Sequence, residues 1–140
     1  MSALTSRTVL LHVYDMHSAN SWLGAIGLGV HHSGVEIGGK EYTFSAQGIT
    51  HHPPKAAASE TVIFKCTIPM GSFEGSYNEV HRIVRELRDD GGFGPGTYSV
   101  TQRNCNHFAE SFCHALTGES VPAWLNRAAG VGGFFGVGGN

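Results

Sequence analysis

A cysteine and a histidine are the two side chains in this sequence whose placement could support covalent catalysis. Cys105 lies in the motif RNCNHF (103–108), where a helix is expected to begin, and His31 and His32 lie upstream in a strand-like segment, VHHSGVEI (30–37). The free N–H groups and the positive dipole end at a helix N-terminus favour a thiolate, and a neighbouring imidazolium favours it further. This pattern is typical of a cysteine nucleophile with an imidazole base. Hydrolysis of an acyl bond is the leading hypothesis.

The choice of base follows from the geometry of helices and strands. His107 is two residues from Cys105, so on a helix it points to roughly the opposite side from the thiol. His31 and His32 alternate across a strand, so at most one of them reaches a given cleft. His31 shares its face with apolar residues and is expected to point into the core, whereas His32 shares the face opened by Gly34. We therefore predict that His32 is the base.

The other cysteines and a metal site are weaker explanations. Cys66 lies within a strand-like run and is expected to be a small buried side chain, and Cys113 lies two turns beyond Cys105, too far to share its site. Zinc would account for so many His and Cys, but no Cys-x-x-Cys pair occurs and no His-x-x-x-His pair lies on a convincing helix. A glycine cluster at residues 24–29 lacks the helix and the acidic partner of a dinucleotide site. No metal or cofactor is expected.

Composition restricts the class of protein and its partners. The 140 residues fit one domain, and a net charge of -2 with 14% charged residues provides no basic stripe for a phosphate backbone, so nucleic acid is not expected as a partner. Three cysteines cannot all pair within one chain, and residues 1–7 lack the layout of a signal peptide. No apolar run approaches the ~18–20 residues of a bilayer span. We expect a soluble protein with reduced thiols and without stable membrane insertion. Its expected location is the cytoplasm and also the nucleus.

Periodicity predicts strands in the first half of the chain. The predicted strands lie at residues 8–14, 31–37, 41–44 and 61–68, and Gly38-Gly39 turns the second into the third. Residues 22–30 are predicted as a turn or short irregular helix because of their glycines. Residues 50–56 are predicted as an exposed loop because they contain two prolines.

Helical spacing dominates the second half of the chain. Apolar residues from Phe73 to Leu87 predict a first helix, with Ser76 and Glu79 as a capping box. A second helix is predicted to begin at Cys105, with Gly118 as its C-cap. Residues 121–127 suggest a short closing helix. The chain is thus expected to be one α+β domain at residues 1–127, followed by a mobile Gly-rich tail at 128–140.

Five sequence blocks occur together in an order that resembles a known family. They are LHVYDM (11–16), IGLGVHHSGVEI (26–37), RNCNHF (103–108), TG (117–118) and VPAWLNR (121–127). Over residues 8–127 the chain resembles the PPPDE peptidases, the desumoylating isopeptidase (DeSI) family, with a closer likeness to the second DeSI subgroup. The resemblance implies a circularly permuted papain-like α+β fold, in which a small, mostly antiparallel sheet packs with helices and the base precedes the nucleophile.

The resemblance also implies a reaction. His32 matches the catalytic histidine of the family and Cys105 its nucleophile, which gives a Cys–His dyad for removing SUMO or ubiquitin-like modifiers from lysines. A depalmitoylating thioesterase that uses the same dyad, and a non-catalytic adaptor that binds modifiers, are the alternatives. The implied partners are conjugates of ubiquitin or SUMO-like modifiers, with a homodimer left open.

Supporting groups around the dyad are predicted from their position in the sequence. The backbone N–H of Cys105, with Gln102 or Asn104, would meet the oxyanion. A papain-type site often has an Asn or Asp on the strand after the histidine, but residues 42–44 supply neither an amide nor a carboxylate. A dyad is therefore expected, with Glu36 as an alternative orienting group.

A substrate groove is predicted beside the base. Ser33 and Gly34 are small, which suggests a slot narrow enough to select the Gly-Gly terminus of a modifier. A fatty-acyl substrate would need a wider apolar groove, for which Trp22, Leu23 and Ile26 are available as lining.

Overall fold

An antiparallel sheet of five strands forms the frame of the protein, which the computed structural model describes over residues 5–16 and 31–126. The strands are β1 (Thr5–Met16), β2 (His31–Ile37), β3 (Lys40–Ser45), β4 (Gly48–His52) and β5 (Val62–Gly75), in the spatial order β4-β3-β2-β1-β5. Two helices, α1 (Tyr77–Asp89) and α2 (Cys105–Thr117), and a 3₁₀ helix (Ala123–Asn126) follow. The predicted α+β class is confirmed. The predicted turn at residues 22–30 and the tail at 128–140 lie outside the described residues.

Local sequence accounts for the β2–β3 hairpin. Gly38 and Gly39 have φ angles of 65° and 81°, which are inaccessible without strain to most side chains. The turn places Val35 opposite Tyr42 and Ile37 opposite Lys40. The predicted hairpin is confirmed.

Two strand predictions need correction. Residues 50–52 are not loop, because they belong to β4, where His52 pairs with Glu41 and Ile49 with Phe44. β5 continues to Gly75 because its second half pairs with the start of β1, with Thr5 opposite Gly75. Phe73 is therefore a strand residue and not part of the first helix. β5 lies at the edge of the sheet, where Pro69 is tolerated.

The helix ends follow the predicted capping chemistry. The Ser76 hydroxyl accepts the N–H of Glu79, and the Glu79 carboxylate accepts the N–H of Ser76 at 2.8 Å. α2 begins at Cys105 and ends at Gly118, whose φ of 79° is the left-handed cap conformation. No helix within the described ranges is long and apolar enough to cross a membrane.

The two faces of the sheet differ in chemistry. On one face, apolar side chains of β1, β2 and β3 pack against α2 and form the hydrophobic core, with Phe112 against Tyr42 and Phe108 against Phe44. The opposite face carries polar side chains that are nevertheless buried: His12 is 1% exposed and Glu41 0%. The buried polar side chains lie beside His32, which is on the same face.

Candidate active site

Asn104 caps the helix that carries the cysteine. Its Oδ1 accepts the N–H of Asn106 at 2.8 Å and of His107 at 3.0 Å, and its Nδ2 donates to Val100 O at 2.7 Å. Cys105 is therefore the first residue of α2, as predicted, and its side chain is buried. Because both polar atoms of the Asn104 amide are engaged in this cap, its side chain is not available to an oxyanion without breaking the cap.

His107 completes the cap from the other side. Its Nδ1 accepts the backbone N–H of Asn104 at 3.0 Å, in the position that Glu or Gln usually occupies in a capping box. The ring must therefore present an unprotonated Nδ1, and burial followed by the charge of Arg103 lowers the pKa of His107. A structural role for His107 fits the predicted exclusion of this residue as the base.

Asn106 ties the nucleophile helix to the histidine strand. Its Nδ2 donates to His31 O at 2.8 Å and to Leu125 O at 3.3 Å, while its Oδ1 accepts the Ser33 hydroxyl at 2.6 Å. Asn106 is 5% exposed. Asn106 was not identified from the sequence. The signal that could have identified it is its position, as a polar residue between Cys105 and the apolar face of the helix.

The backbone of Ser33 lies where β2 and β3 part. Pairing of β2 with β3 covers residues 35–37, and beyond it the Ser33 carbonyl accepts a 3.1 Å hydrogen bond from Thr43 Oγ1. Because the N–H and C=O of a strand residue point to the same side of the strand, the Ser33 N–H also points towards β3. From this position it lowers the pKa of the Cys105 thiol. The Cys105 thiol itself donates a long hydrogen bond of 3.9 Å to Asn106 Oδ1, the oxygen that also accepts the Ser33 hydroxyl.

Burial decides the protonation of the thiol. Desolvation raises the pKa of Cys105, and the nearby backbone N–H groups of Ser33, Cys105 and Asn106 and the Tyr98 hydroxyl partly oppose that rise because they favour a negative sulfur. The helix N-terminus does act in the predicted direction, but burial outweighs it. The resting thiol is therefore neutral at pH 7, and not the thiolate expected from helix position alone. Tyr98 is a further contact of the sulfur that sequence reasoning missed.

The two candidate histidines lie on opposite faces of β2. The His31 ring packs against Trp124 at 5.2 Å, and its Nε2 is 3.4 Å from Asp15 Oδ1. The His32 ring packs against Tyr14 at 5.5 Å on the other face. Burial, followed by the charge of His52, lowers the pKa of His32 to about 4. His32 is therefore an unprotonated imidazole at neutral pH, the state that a general base requires.

Several predicted supporting residues have other surroundings. The side chain of Gln102 lies in an exposed turn. Glu36 Oε1 accepts from His12 Nε2 at 2.7 Å, so this carboxylate orients His12 and not His32. Ser33 borders the thiol through its N–H, but its hydroxyl is buried against Asn106.

Gly34 makes room for a carboxylate on the face away from α2. A Cβ at this position would lie 2.2 Å from Glu41 Oε2. The space beside Gly34 is therefore filled by Glu41 and is not open to the helix end that carries Cys105. Trp22, Leu23 and Ile26, the predicted lining of an acyl groove, lie outside the described residues.

Of the remaining cysteines, Cys113 lies apart from the site as predicted, whereas Cys66 is less buried than predicted. Cys113 is fully buried, and desolvation followed by the charge of Glu110 raises its pKa to about 12. Cys66 is half-buried on β5.

Among the described residues, no group of three or more His, Cys, Asp or Glu side chains could hold a metal ion.

Comparison with known proteins gives a consistent family match. The model of the "PPPDE putative peptidase domain" matches residues 7–136. A Caenorhabditis elegans protein named desumoylating isopeptidase 1 homolog is 34% identical over 139 positions, which cover 94% of this chain and 41% of the relative. A DeSI-like protein of Arabidopsis thaliana is 33% identical, with 90% of this chain and 57% of the relative covered. The DeSI-like protein sdu1 of Schizosaccharomyces pombe is 32% identical, with 89% and 65% covered. The chain thus spans between two fifths and two thirds of these relatives.

Proposed function

Because the chain belongs to the PPPDE peptidase family, we propose that it is a cysteine-dependent isopeptidase that removes SUMO or ubiquitin-like modifiers from protein lysines. Cys105 is the proposed nucleophile and His32 the proposed base. The name of the C. elegans relative supports a desumoylating reaction. The observation that carries the proposal is the pair of hydrogen bonds that joins Asn106 to Ser33 Oγ at 2.6 Å and to His31 O at 2.8 Å, because they hold the residue after Cys105 against the strand of His32.

The proposed reaction begins from a neutral pair. Burial raises the pKa of Cys105 and lowers that of His32 to about 4, so neither group is charged at pH 7 before substrate binds. As the sulfur attacks the isopeptide carbonyl and the S–C bond forms, the thiol proton passes to the His32 ring. The imidazolium then gives this proton to the leaving lysine nitrogen as the C–N bond breaks.

Hydrolysis of the acyl-enzyme restores the starting state. Water attacks the thioester carbonyl and gives one proton to His32, the S–C bond breaks, and the sulfur takes that proton back. The modifier is released as a carboxylic acid, which ionises, and its proton is taken up by the freed lysine amine, so the products are a carboxylate and an ammonium group. No oxidant, metal or cofactor enters this sequence.

The oxyanion formed in both steps needs hydrogen-bond donors near the sulfur. The backbone N–H of Cys105 lies in the first turn of α2, and the Tyr98 hydroxyl lowers the pKa of the Cys105 thiol. Tyr98 is 37% exposed, so it borders both the thiol and the surface from which a substrate would arrive. We assign it as the second donor, in place of Asn104, whose amide caps the helix.

A thioesterase is the second candidate because apolar side chains lie beside the nucleophile. Val100 is 71% exposed and Tyr98 37%, and both lie in the loop before α2. An acyl chain could pack on these side chains, whereas a Gly-Gly terminus would make little use of them. The same dyad would then release a thiol in place of an amine.

Probes of three kinds distinguish these reactions. Ubiquitin and SUMO, each with a C-terminal fluorogenic amide, and a short fatty-acyl thioester are tested with wild type, Cys105→Ala and the matched control Cys66→Ala. We expect Cys105→Ala to abolish turnover of at least one modifier probe and Cys66→Ala to retain it. Turnover of the thioester alone would favour the thioesterase, and binding of a modifier without turnover of any probe would favour the adaptor.

Histidine variants test the base in the same assays. His32→Ala should lower turnover by at least about 10²-fold, which is the usual contribution of a positioned general base, whereas His107→Ala should lower it far less. His31→Ala is the decisive comparison, because this ring lies on the other face of the same strand. A larger loss in His31→Ala than in His32→Ala would move the base to His31.

A further inference from the structure

A buried carboxylate lies on the sheet face opposite the nucleophile helix. Glu41 is fully buried, and its oxygens accept the Tyr14 hydroxyl at 2.8 and 3.0 Å and the Lys55 backbone N–H at 2.7 Å. A buried carboxylate is costly unless it is hydrogen-bonded in this way. The same space could be filled by apolar side chains, so packing by itself does not require the hydroxyl–carboxylate pair.

The position of Glu41 is closely defined by β2. Gly34 lies directly beside it, and any side chain at residue 34 would overlap the carboxylate, since a Cβ there would be 2.2 Å from Oε2. The Lys55 N–H holds the other oxygen, and Lys55 adopts a φ of 64°, an uncommon conformation for a non-glycine residue. Glu41 is thus fixed in position by Gly34 of β2, by Lys55 in the loop after β4 and by Tyr14 of β1.

Tyr14 links this carboxylate to His32. The two residues are direct partners in the β1–β2 ladder, and their rings lie 5.5 Å apart at an angle of 41°. Tyr14 is fully buried, and Phe64 packs edge-on against it from β5 at 5.9 Å. Burial and the hydrogen bond to Glu41 raise the pKa of Tyr14, so its hydroxyl remains a donor. The hydrogen bonds of the hydroxyl to Glu41 fix the orientation of the Tyr14 ring, and the His32 ring packs against that ring.

We propose that Tyr14 and Glu41 are positioning residues that hold the His32 ring in the orientation needed to take the Cys105 proton. This inference rests on the proposed function, since it assumes that His32 is the base. The Tyr14 and His32 rings lie 5.5 Å apart, and the hydrogen bonds to Glu41 hold the Tyr14 ring in place. The pair thus replaces the Asn or Asp that a papain-type site uses to orient its histidine.

A double-mutant cycle tests the proposal on the full chain. Turnover of the modifier probe and the rate of Cys105 alkylation by iodoacetamide at pH 7 are measured for Tyr14→Phe, His32→Ala and the double variant. Tyr42→Phe is the matched control, because Tyr42 is 3% exposed in β3, on the other side of β2 from Tyr14, and points to the other face of the sheet. Thermal unfolding of each variant monitors the fold.

We expect Tyr14→Phe to lower kcat by at least about tenfold with KM unchanged, because a misplaced catalytic group loses rate and not binding. In the His32→Ala background the same change should have no further effect, whereas Tyr42→Phe should behave as wild type. Glu41→Gln, which retains one acceptor for the hydroxyl, should lose less activity than Tyr14→Phe and serves if the latter folds poorly.

Two results would overturn the proposal. A wild-type kcat for Tyr14→Phe, or an equal fold-loss in the presence and absence of His32, would show that the pair acts on structure and not through the base. Wild-type turnover of His32→Ala would instead remove the base assignment itself, and the inference with it. The first outcome leaves the proposed function intact, so the two failures are distinguishable.

Discussion

The Ser33 hydroxyl donates a 2.6 Å hydrogen bond to Asn106 Oδ1, which fastens the strand of His32 to the first turn of the Cys105 helix. The bond joins positions 73 residues apart in the sequence. Both side chains are buried, so the bond is shielded from competing water. The relative placement of the proposed base and nucleophile therefore depends on an amide that takes no part in the proposed bond changes.

Removing that amide should lower stability and turnover together. Asn106→Ala leaves the Ser33 hydroxyl and the His31 carbonyl without this partner, and we expect a loss of about 1–3 kcal/mol in the free energy of unfolding. Chemical denaturation measures the loss. Asn78→Ala, an exposed position on α1, is the control and should be nearly neutral. Equal stability of the two variants would show that the tether is not energetically important.

The pH dependence of stability should report the state of His32. Its pKa is about 4 in the folded protein and 6.5 in a model peptide, so between these values the unfolded chain binds the proton and the folded chain does not. Stability is then fully present above pH 6.5 and falls as pH drops towards 4, by roughly 3 kcal/mol for this residue.

Replacing His32 by a residue that does not titrate isolates its contribution to the pH dependence of stability. His32→Gln cannot titrate, so its denaturation midpoint should fall less steeply than that of wild type between pH 6.5 and pH 4. His81→Gln, at an exposed position on α1, should retain the wild-type slope. A slope unchanged by His32→Gln would mean that folding does not lower the pKa of this imidazole.

Loss of the Tyr98 hydroxyl should make the nucleophile harder to ionise. This hydroxyl is one of the groups that oppose the burial-driven rise in the pKa of Cys105. Tyr98→Phe should therefore shift the pH profile of Cys105 alkylation towards higher pH and slow the reaction at pH 8, as mapped by mass spectrometry of labelled peptides. Tyr77→Phe is a suitable control, since Tyr77 is similarly exposed and donates to Gly38 O. Identical profiles for the two variants would exclude the Tyr98 contact in solution.

Enlarging Gly34 should lower the stability of the fold, with no separate effect on substrate selection. Gly34→Ala places a methyl group on the buried Glu41 carboxylate, and overpacking of this kind typically costs about 1–3 kcal/mol. Gly94→Ala is the control, because a Cβ there would be 3.4 Å from its nearest neighbour, Arg88 O. If Gly34→Ala were as stable as wild type but lost only modifier cleavage, the predicted Gly-Gly slot would be the better account of this glycine.

Secondary-structure elements whose ends are determined by a few neighbouring residues could be predicted from the sequence. The hairpin depends on Gly38-Gly39, α1 on the reciprocal bonds of Ser76 and Glu79, and the end of α2 on Gly118. Each of these signals acts over a few residues, so neighbouring residues suffice to recognise it. The start of α2 at Cys105 and the alternation of His31 and His32 follow in the same way from helix and strand geometry.

Tertiary structure decided the properties that depend on distant partners. β4 and the second half of β5 exist because β3 and β1 supply their hydrogen bonds, which local propensity does not reveal. The Ser33 N–H is available to Cys105 only because β2 and β3 part beyond residue 35. The protonation state of the Cys105 thiol likewise could not be predicted from the sequence, because desolvation depends on all the groups that pack around the sulfur. This desolvation outweighs the effect of the helix N-terminus, which the sequence does reveal.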